Sequence, residues 1–238
     1  MSSARIDSLR ESFYDQLVKN GRMWSPLQIV AMLTMLIDHI GYVYFPEETL
    51  FRIVGRIAYP LYVFGIVLGY RYTSNIKRYI ARLFVLALVS QLPFMFVFET
   101  PALNVIFTLM FSLLTLIALD RIDDRVGKSA VVLTAVVATL LVPMDYGGYG
   151  IVLILIYRYA RSKRMVVYHL ILNGVYCYLT DSYIQMFSVI PTVAIAYFPV
   201  LLQRWRRSVP AWIWRSFYPA HLIALGILLF IDRNRIVL

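Results

Sequence analysis

The chain has 238 residues, 61% apolar and only 15% charged, with a mean hydropathy of +0.71 and a formal net charge of +10. A soluble domain carries about 45–50% apolar and about 25% charged residues, and one globular core cannot bury the excess seen here. These values exclude a soluble enzyme, a disordered protein and a nucleic-acid module, and they point to a polytopic membrane protein. The single cysteine, Cys177, excludes an intramolecular disulfide and a thiolate metal cluster.

Residues 1–24 lack the continuous apolar core of a signal peptide. Ile6, Leu9, Phe13 and Leu17 recur there at helical spacing, with Arg5, Arg10, Lys19 and Arg22 among the polar positions. This pattern predicts an amphipathic helix on the cytoplasmic side of the membrane interface. A transmembrane helix needs about 20 apolar residues. Apolar segments follow at roughly 25–45, 52–70, 80–98, 102–119, 129–144, 147–160, 165–180, 183–202 and 214–231. The fifth and sixth are short, and a tilted hairpin or a break near Pro143–Gly150 is expected. The fold class is therefore all-α, a membrane bundle of about nine transmembrane helices: a cytoplasmic segment at 1–24 precedes one transmembrane domain at 25–238.

Alternate loops hold 19 of the 23 Lys and Arg residues: the leader, 71–82, 121–128, 158–164 and 204–215. The intervening loops hold Glu47, Glu48, Glu99, Asp145 and Asp181. In loops this short, basic residues stay on the cytoplasmic side. The N-terminus is thus predicted in the cytoplasm and the C-terminus outside, with Arg233 and Arg235 as exceptions. The basic residues are accounted for first by orientation and by contact with anionic lipid, so nucleic acid is not an expected partner.

Ionisable groups within spans are costly and are functional hypotheses by default. Asp38 and His39 fall in the outer third of the first span, Arg56 lies one turn into the second, and Arg52 marks its edge. Asn104 opens the fourth span, Asp145 closes the fifth, and His221 lies in the ninth. His169, in the seventh, is expected at the interface. A carboxylate and a guanidinium in one apolar slab should pair, because each alone costs far more; Asp38 and Arg56 are the candidates. Adjacent helical residues point about 100° apart, so one of Asp38 and His39 is expected to face a cavity while the other supports it. Gln28 precedes His39 by eleven residues, within about 20° of whole turns, and shares its helix face. Three scattered histidines make no metal site, and no hydrolase, kinase or dinucleotide motif is present.

The strings LQIVAMLTMLIDHIG and FRIVGRIAYPLYVFGIVLGYRYTSN resemble the opening of the TraX family, named for a conjugation protein linked to pilin N-terminal acetylation. The likeness continues through RLFVLALVSQLPF, LNVIFTLMFSLLTLIALDR, DYGGYGI and FYPAHL, in order over about residues 25–231. TraX proteins are in turn similar to integral-membrane acyltransferases that take acetyl from cytosolic acetyl-CoA to acceptors on the far side. The resemblance implies a multi-pass protein of the bacterial inner membrane, with acetyl-CoA as donor, no metal, and a peptide, glycan or small-molecule acceptor. It makes His39 the catalytic residue, as general base or transient acyl carrier. A basic residue expected eleven positions earlier is replaced by Gln28.

Around His39, Asp38 or Asp145 would orient the imidazole, and Arg56 or Asn104 would stabilise the oxyanion. On the donor side, Arg71, Lys77 and Arg78 are expected to meet the CoA phosphates, helped by Arg161 or Arg164, with Gln28 and His221 as further donor-binding positions. Two other classes stay open: an ion- or proton-coupled transporter using Asp38, His39 and Arg56, and a non-catalytic subunit of a secretion or conjugation assembly.

Overall fold

The computed structural model describes residues 24–160, 162–197 and 209–235. Apart from Trp24 the predicted leader helix lies outside these residues, as do Arg161 and the end of the eighth segment. In chain order the helices are α1 (Trp24–Tyr44), α2 (Thr49–Gly55), α3 (Ala58–Tyr72), α4 (Ile76–Phe98), α5 (Val105–Leu119), α6 (Arg125–Leu141) and α7 (Gly147–Tyr159). Then come α8 (Ser162–Thr180), a 3-10 turn at Tyr183–Ser188, α9 (Val189–Tyr197) and α10 (Ala211–Arg235).

Every predicted segment is helical, but two are interrupted. The second is divided into α2 and α3 at Arg56–Ile57, where the backbone tightens: Arg56 N bonds Ile53 O at 3.2 Å and Ile57 N bonds Val54 O at 3.2 Å. The eighth opens as the 3-10 turn before α9 begins. Between α6 and α7 the expected break is present at residues 142–146. There Tyr146 (φ 63°) and Gly147 (φ 36°) adopt left-handed backbone, a costly conformation for tyrosine.

Among the described residues four helical stretches are long and apolar enough to cross a membrane: Pro26–Tyr44, Thr49–Tyr72, Ile76–Phe98 and Ala211–Asn234. The apolar helices Val105–Leu119, Gly147–Tyr159 and Tyr183–Tyr197 are shorter. The outward face of α4 presents Val85, Leu88, Val89 and Leu92, all exposed at helical spacing. A stripe of that kind is a liability in water and a natural contact with lipid. This is a multi-pass membrane architecture.

The centre of the bundle is α3, which packs on α1, α5 and α7. Leu61 and Val63 of α3, Leu113 and Leu116 of α5, and Leu153 and Ile154 of α7 are fully buried there. Helix α10 crosses the bundle edge to lie along α4 and α1, which brings the C-terminal part of the chain against the first span. At one end Asp120 accepts hydrogen bonds from Tyr70 (2.8 Å), Tyr159 (3.2 Å) and Arg158 (3.4 Å), tying together α3, α5 and α7. This end carries the basic loops. At the opposite end Arg233 pairs with Glu99, so the exception to the charge pattern has an anionic partner.

Candidate functional site

Met35, Asp38, His39 and Tyr42 follow one face of α1 and line a cavity of about 290 Å³. The remaining walls come from α2 and its C-cap (Arg52, Gly55, Arg56), α3 (Tyr59, Tyr62), α4 (Phe94, Phe98) and the loop before α7 (Asp145, Tyr146). Asp38 and His39 both line this space, contrary to the expectation that only one would, and they turn in different directions.

Asp38 turns toward α2. Its Oδ1 lies 2.8 Å from Arg52 Nη1 and 3.5 Å from Arg56 Nη2. The approach requires Gly55: a Cβ there would stand 2.0 Å from Asp38 Oδ1. Arg56 is held further by Nε donating to Arg52 O (3.3 Å) and Nη1 donating to Gln185 Oε1 (3.3 Å). Its guanidinium lies 5.9 Å from the centre of the Tyr146 ring. One carboxylate thus holds two arginines at the cavity wall, each with further fixed contacts.

His39 turns toward α10. Its Nδ1 lies 2.8 Å from His221 Nε2, and His221 Nδ1 lies 2.7 Å from Phe217 O. Phe98 packs edge-on against His39, with ring centres 4.8 Å apart. The imidazole partner is therefore His221, not Asp38 or Asp145 as expected. The reason is charge: Asp38 is already engaged by two guanidinium groups.

Asp145 lines the same cavity. Its loop is clipped beside α5 by Leu103 N to Pro143 O (2.9 Å), Asp145 N to Leu103 O (2.9 Å), and a hydrogen bond from Thr108 to Asp145 O. Asn104 does not line the cavity. Its Oδ1 caps α5 at Ile106 N (3.0 Å) and its Nδ2 donates to Ala87 O (2.8 Å) and Gln91 Oε1 (2.9 Å). With its amide spent in this way, the oxyanion role expected of Asn104 has no geometric support; it is a helix cap.

A second cavity, of about 910 Å³, runs between α3, α4, α5 and α10. Its walls are mostly apolar, and Arg78, Arg82, Arg215, Trp212 and Trp214 line its basic end. Met35, Tyr62 and Val105 line both cavities, so the same three side chains stand between the arginines and the His39 chamber. Among the described residues, Arg78 alone of the predicted phosphate contacts lines this cavity; Arg71, Lys77 and Arg164 are exposed elsewhere, with Arg71 near the Tyr72 ring. Gln28 is buried in α1 and lines neither cavity. His221 belongs with His39 and not with the donor-binding positions where it was expected.

Some polar residues were invisible to sequence reasoning. Gln185 sits in the 3-10 turn and reaches Arg56 from behind. Its backbone oxygen accepts from Asn173 Nδ2 at 3.1 Å. Behind Asn173, His169 is fully buried, with Thr192 at 2.6 Å on Nδ1 and Tyr149 at 2.8 Å on Nε2. Expected at the interface, His169 is instead buried inside the bundle, where it anchors a polar network between α7, α8 and α9. Nothing in the spacing of these residues along the chain signals that they meet.

The TraX protein family matches residues 24–229. The chain belongs to the TraX family. Among curated relatives, the Probable fimbrial assembly protein FimC, serogroup H1, of Dichelobacter nodosus is 26% identical over 193 residues, 73% of this chain and 77% of that protein. An uncharacterized protein of Rickettsia prowazekii (strain Madrid E) is 43% identical over 51 residues, 21% of this chain and 20% of its own. No solved structure matches. The family match begins at α1 and ends within α10, so this TraX-family region spans both helices that contribute the paired histidines.

Proposed function

We propose that this TraX-family protein is a membrane acyltransferase that moves acetyl from acetyl-CoA on the cytoplasmic side to an amine or hydroxyl acceptor. The observation that carries the reading is the shared wall. The His39 chamber and a larger apolar cavity meet at Met35, Tyr62 and Val105, and the larger cavity has arginines at its basic end.

These residues fit a donor built as an anionic phosphate head on a long neutral arm. Arg78, Arg82 and Arg215 suit the phosphates, since guanidinium groups bind them through paired hydrogen bonds. The apolar length of the cavity suits the arm. Acetyl-CoA supplies an activated acyl group whose thioester needs no further activation by a metal. The protein supplies the rest. His39 takes the proton of the acceptor as its oxygen or nitrogen attacks the thioester carbonyl; when the C–S bond then breaks, that proton passes to the departing CoA sulfur. The Arg52 and Arg56 groups, fixed by Asp38 and Gln185, place positive charge at the wall where an oxyanion would develop. A pocket of about 290 Å³ favours a short acyl group together with part of the acceptor.

The test is purified protein in lipid vesicles with radiolabelled acetyl-CoA, with and without peptide-amine and amino-sugar acceptors. The wild type is expected to consume the thioester and pass label to an acceptor. His39→Ala should lose about 10²–10⁴ of that rate, the usual contribution of a general base. Undiminished transfer by a folded His39→Ala protein would remove His39 from the mechanism.

A separate prediction concerns the donor. Replacing Arg78, Arg82 and Arg215 together with alanine should raise the KM for acetyl-CoA by about 10–100-fold, with a smaller change in kcat. A steady-state titration of the donor reads this directly, and an unchanged KM would place the phosphates elsewhere.

A second reading, a non-catalytic subunit of a fimbrial or conjugative assembly, is favoured by the name of the Dichelobacter nodosus relative. It predicts that pilus assembly survives His39→Ala.

A further inference from the structure

We infer that His221 is a positioning residue: by accepting the Nδ1 proton of His39 it locks that imidazole in the tautomer whose Nε2 is a free base. The inference rests on the acyltransferase reading for its catalytic consequence, but its structural content stands on three contacts.

Phe217 O can only accept a hydrogen bond. The 2.7 Å contact from His221 Nδ1 therefore places a proton on that nitrogen. In a neutral ring the other nitrogen, Nε2, is then a bare acceptor. His39 Nδ1 lies 2.8 Å from it and must be the donor. With its own proton on Nδ1, neutral His39 presents an unprotonated Nε2. Among the described residues no side chain or backbone group hydrogen-bonds that nitrogen, while His39 lines the chamber beside Arg52, Arg56 and Asp145.

The chain Phe217 carbonyl, His221, His39 does the orienting work a carboxylate does in a Ser-His-Asp triad, where the partner of one ring nitrogen sets the tautomer of the other. Here a neutral imidazole takes that place because the local carboxylate is occupied. Asp38, the sequence neighbour of His39, is engaged by two arginines from α2. Among the described residues the group on His39 Nδ1 is no carboxylate but His221, from α10. His221 is additionally stacked on Phe217, with ring centres 4.9 Å apart and planes at 23°, which holds its Nε2 in register.

The decisive pair of variants is His221→Gln and His221→Phe. Glutamine keeps an acceptor near the Nε2 position; phenylalanine keeps the ring and its stacking but offers no acceptor. Positioning predicts that the glutamine variant transfers acetyl within about 10-fold of wild type, while the phenylalanine variant falls by about 10² or more. A packing role predicts the reverse order, and observing that order would overturn the inference.

A second measurement needs no catalysis. Nitrogen NMR of histidine-labelled protein in nanodiscs should show His39 with a pyrrole-type Nδ1 and a pyridine-type Nε2. In His221→Phe this preference should weaken or invert. A pyrrole-type Nε2 at His39 in the wild type would overturn the proposal whatever the activity assay reads. Absence of any acetyl transfer by the wild type, with the expected NMR signature intact, would instead sink the acyltransferase reading and leave the tautomer assignment standing.

Discussion

Asp38→Ala is expected to destabilise the folded protein by about 3–5 kcal/mol and to remove acyl transfer with it. Breaking a largely buried ion pair from one side leaves the partner charge uncompensated, and that cost exceeds the value of the pair itself. Here two partners are stranded: Arg52 at 2.8 Å and Arg56 at 3.5 Å from Oδ1. Both face a chamber between helices, where the side chains of Asp38 and Arg56 are only 12% and 15% exposed. Asp38→Asn should be milder, since an amide oxygen can still accept one hydrogen bond. The triple replacement of Asp38, Arg52 and Arg56 by apolar residues of similar volume should recover much of the stability and none of the activity. Denaturant titration of the purified variants in mixed micelles, beside the acetyl-transfer assay, separates the two effects. Wild-type stability in Asp38→Ala would mean that water, not the carboxylate, balances the arginines.

The second large effect is expected at Gly150. A Cβ on this residue would stand 2.1 Å from Tyr59 Oη and 2.8 Å from Thr108 Cγ2, well inside van der Waals contact. Tyr59 cannot retreat freely. Its ring stacks on Tyr146 with centres 3.7 Å apart, and Tyr146 follows Asp145 in the strained turn that closes the chamber. Gly150→Ala should therefore cost about 1–3 kcal/mol of overpacking strain and reduce activity by displacing the Asp145–Tyr146 turn. Among the described residues the buried Tyr59 hydroxyl has no hydrogen-bond partner, so removing it strands no polar group. Tyr59→Phe alone should leave stability unchanged or raise it, and combined with Gly150→Ala it should restore most of the loss. Non-recovery in the double variant would show that Thr108, not Tyr59, is the immovable neighbour. Thermal unfolding of the four proteins in one detergent completes the cycle.

The two cavities also account for how a multi-pass protein would keep a polar chemistry apart from lipid. The arginine pair, His39 and Asp145 surround one small chamber, with His221 behind His39, while the outward sides of α4 and α10 remain apolar. Polar backbone at the breaks between α2 and α3, and between α6 and α7, lies where the protein itself supplies partners, as irregular backbone within a membrane requires.

Much of this was legible along the chain. Apolar length marked the helical segments, and the break near Pro143–Gly150 was signalled by its turn residues. The pairing of Asp38 with Arg56 followed from the cost of isolating either charge in an apolar slab. The placement of Arg78 among other basic residues at one end of the bundle could be anticipated from its basic loop. Met35 and His39, four residues apart, lie on one face of α1 as helical periodicity requires.

What the sequence by itself determined are properties that depend on near neighbours in the chain: helix length, helix face, and the depth at which a charge sits. Only the tertiary structure decided which faces meet. His39 and His221 are 182 positions apart, and no local pattern predicts that α10 should lie against α1. Arg82 and Arg215 line one cavity for the same reason, and the amide nitrogen of the cap residue Asn104 is taken up by Gln91 and Ala87 of α4. Periodicity sets the direction of a side chain about its own helix axis; the identity of its partner depends on how the helices pack together, and that is a property of the whole bundle.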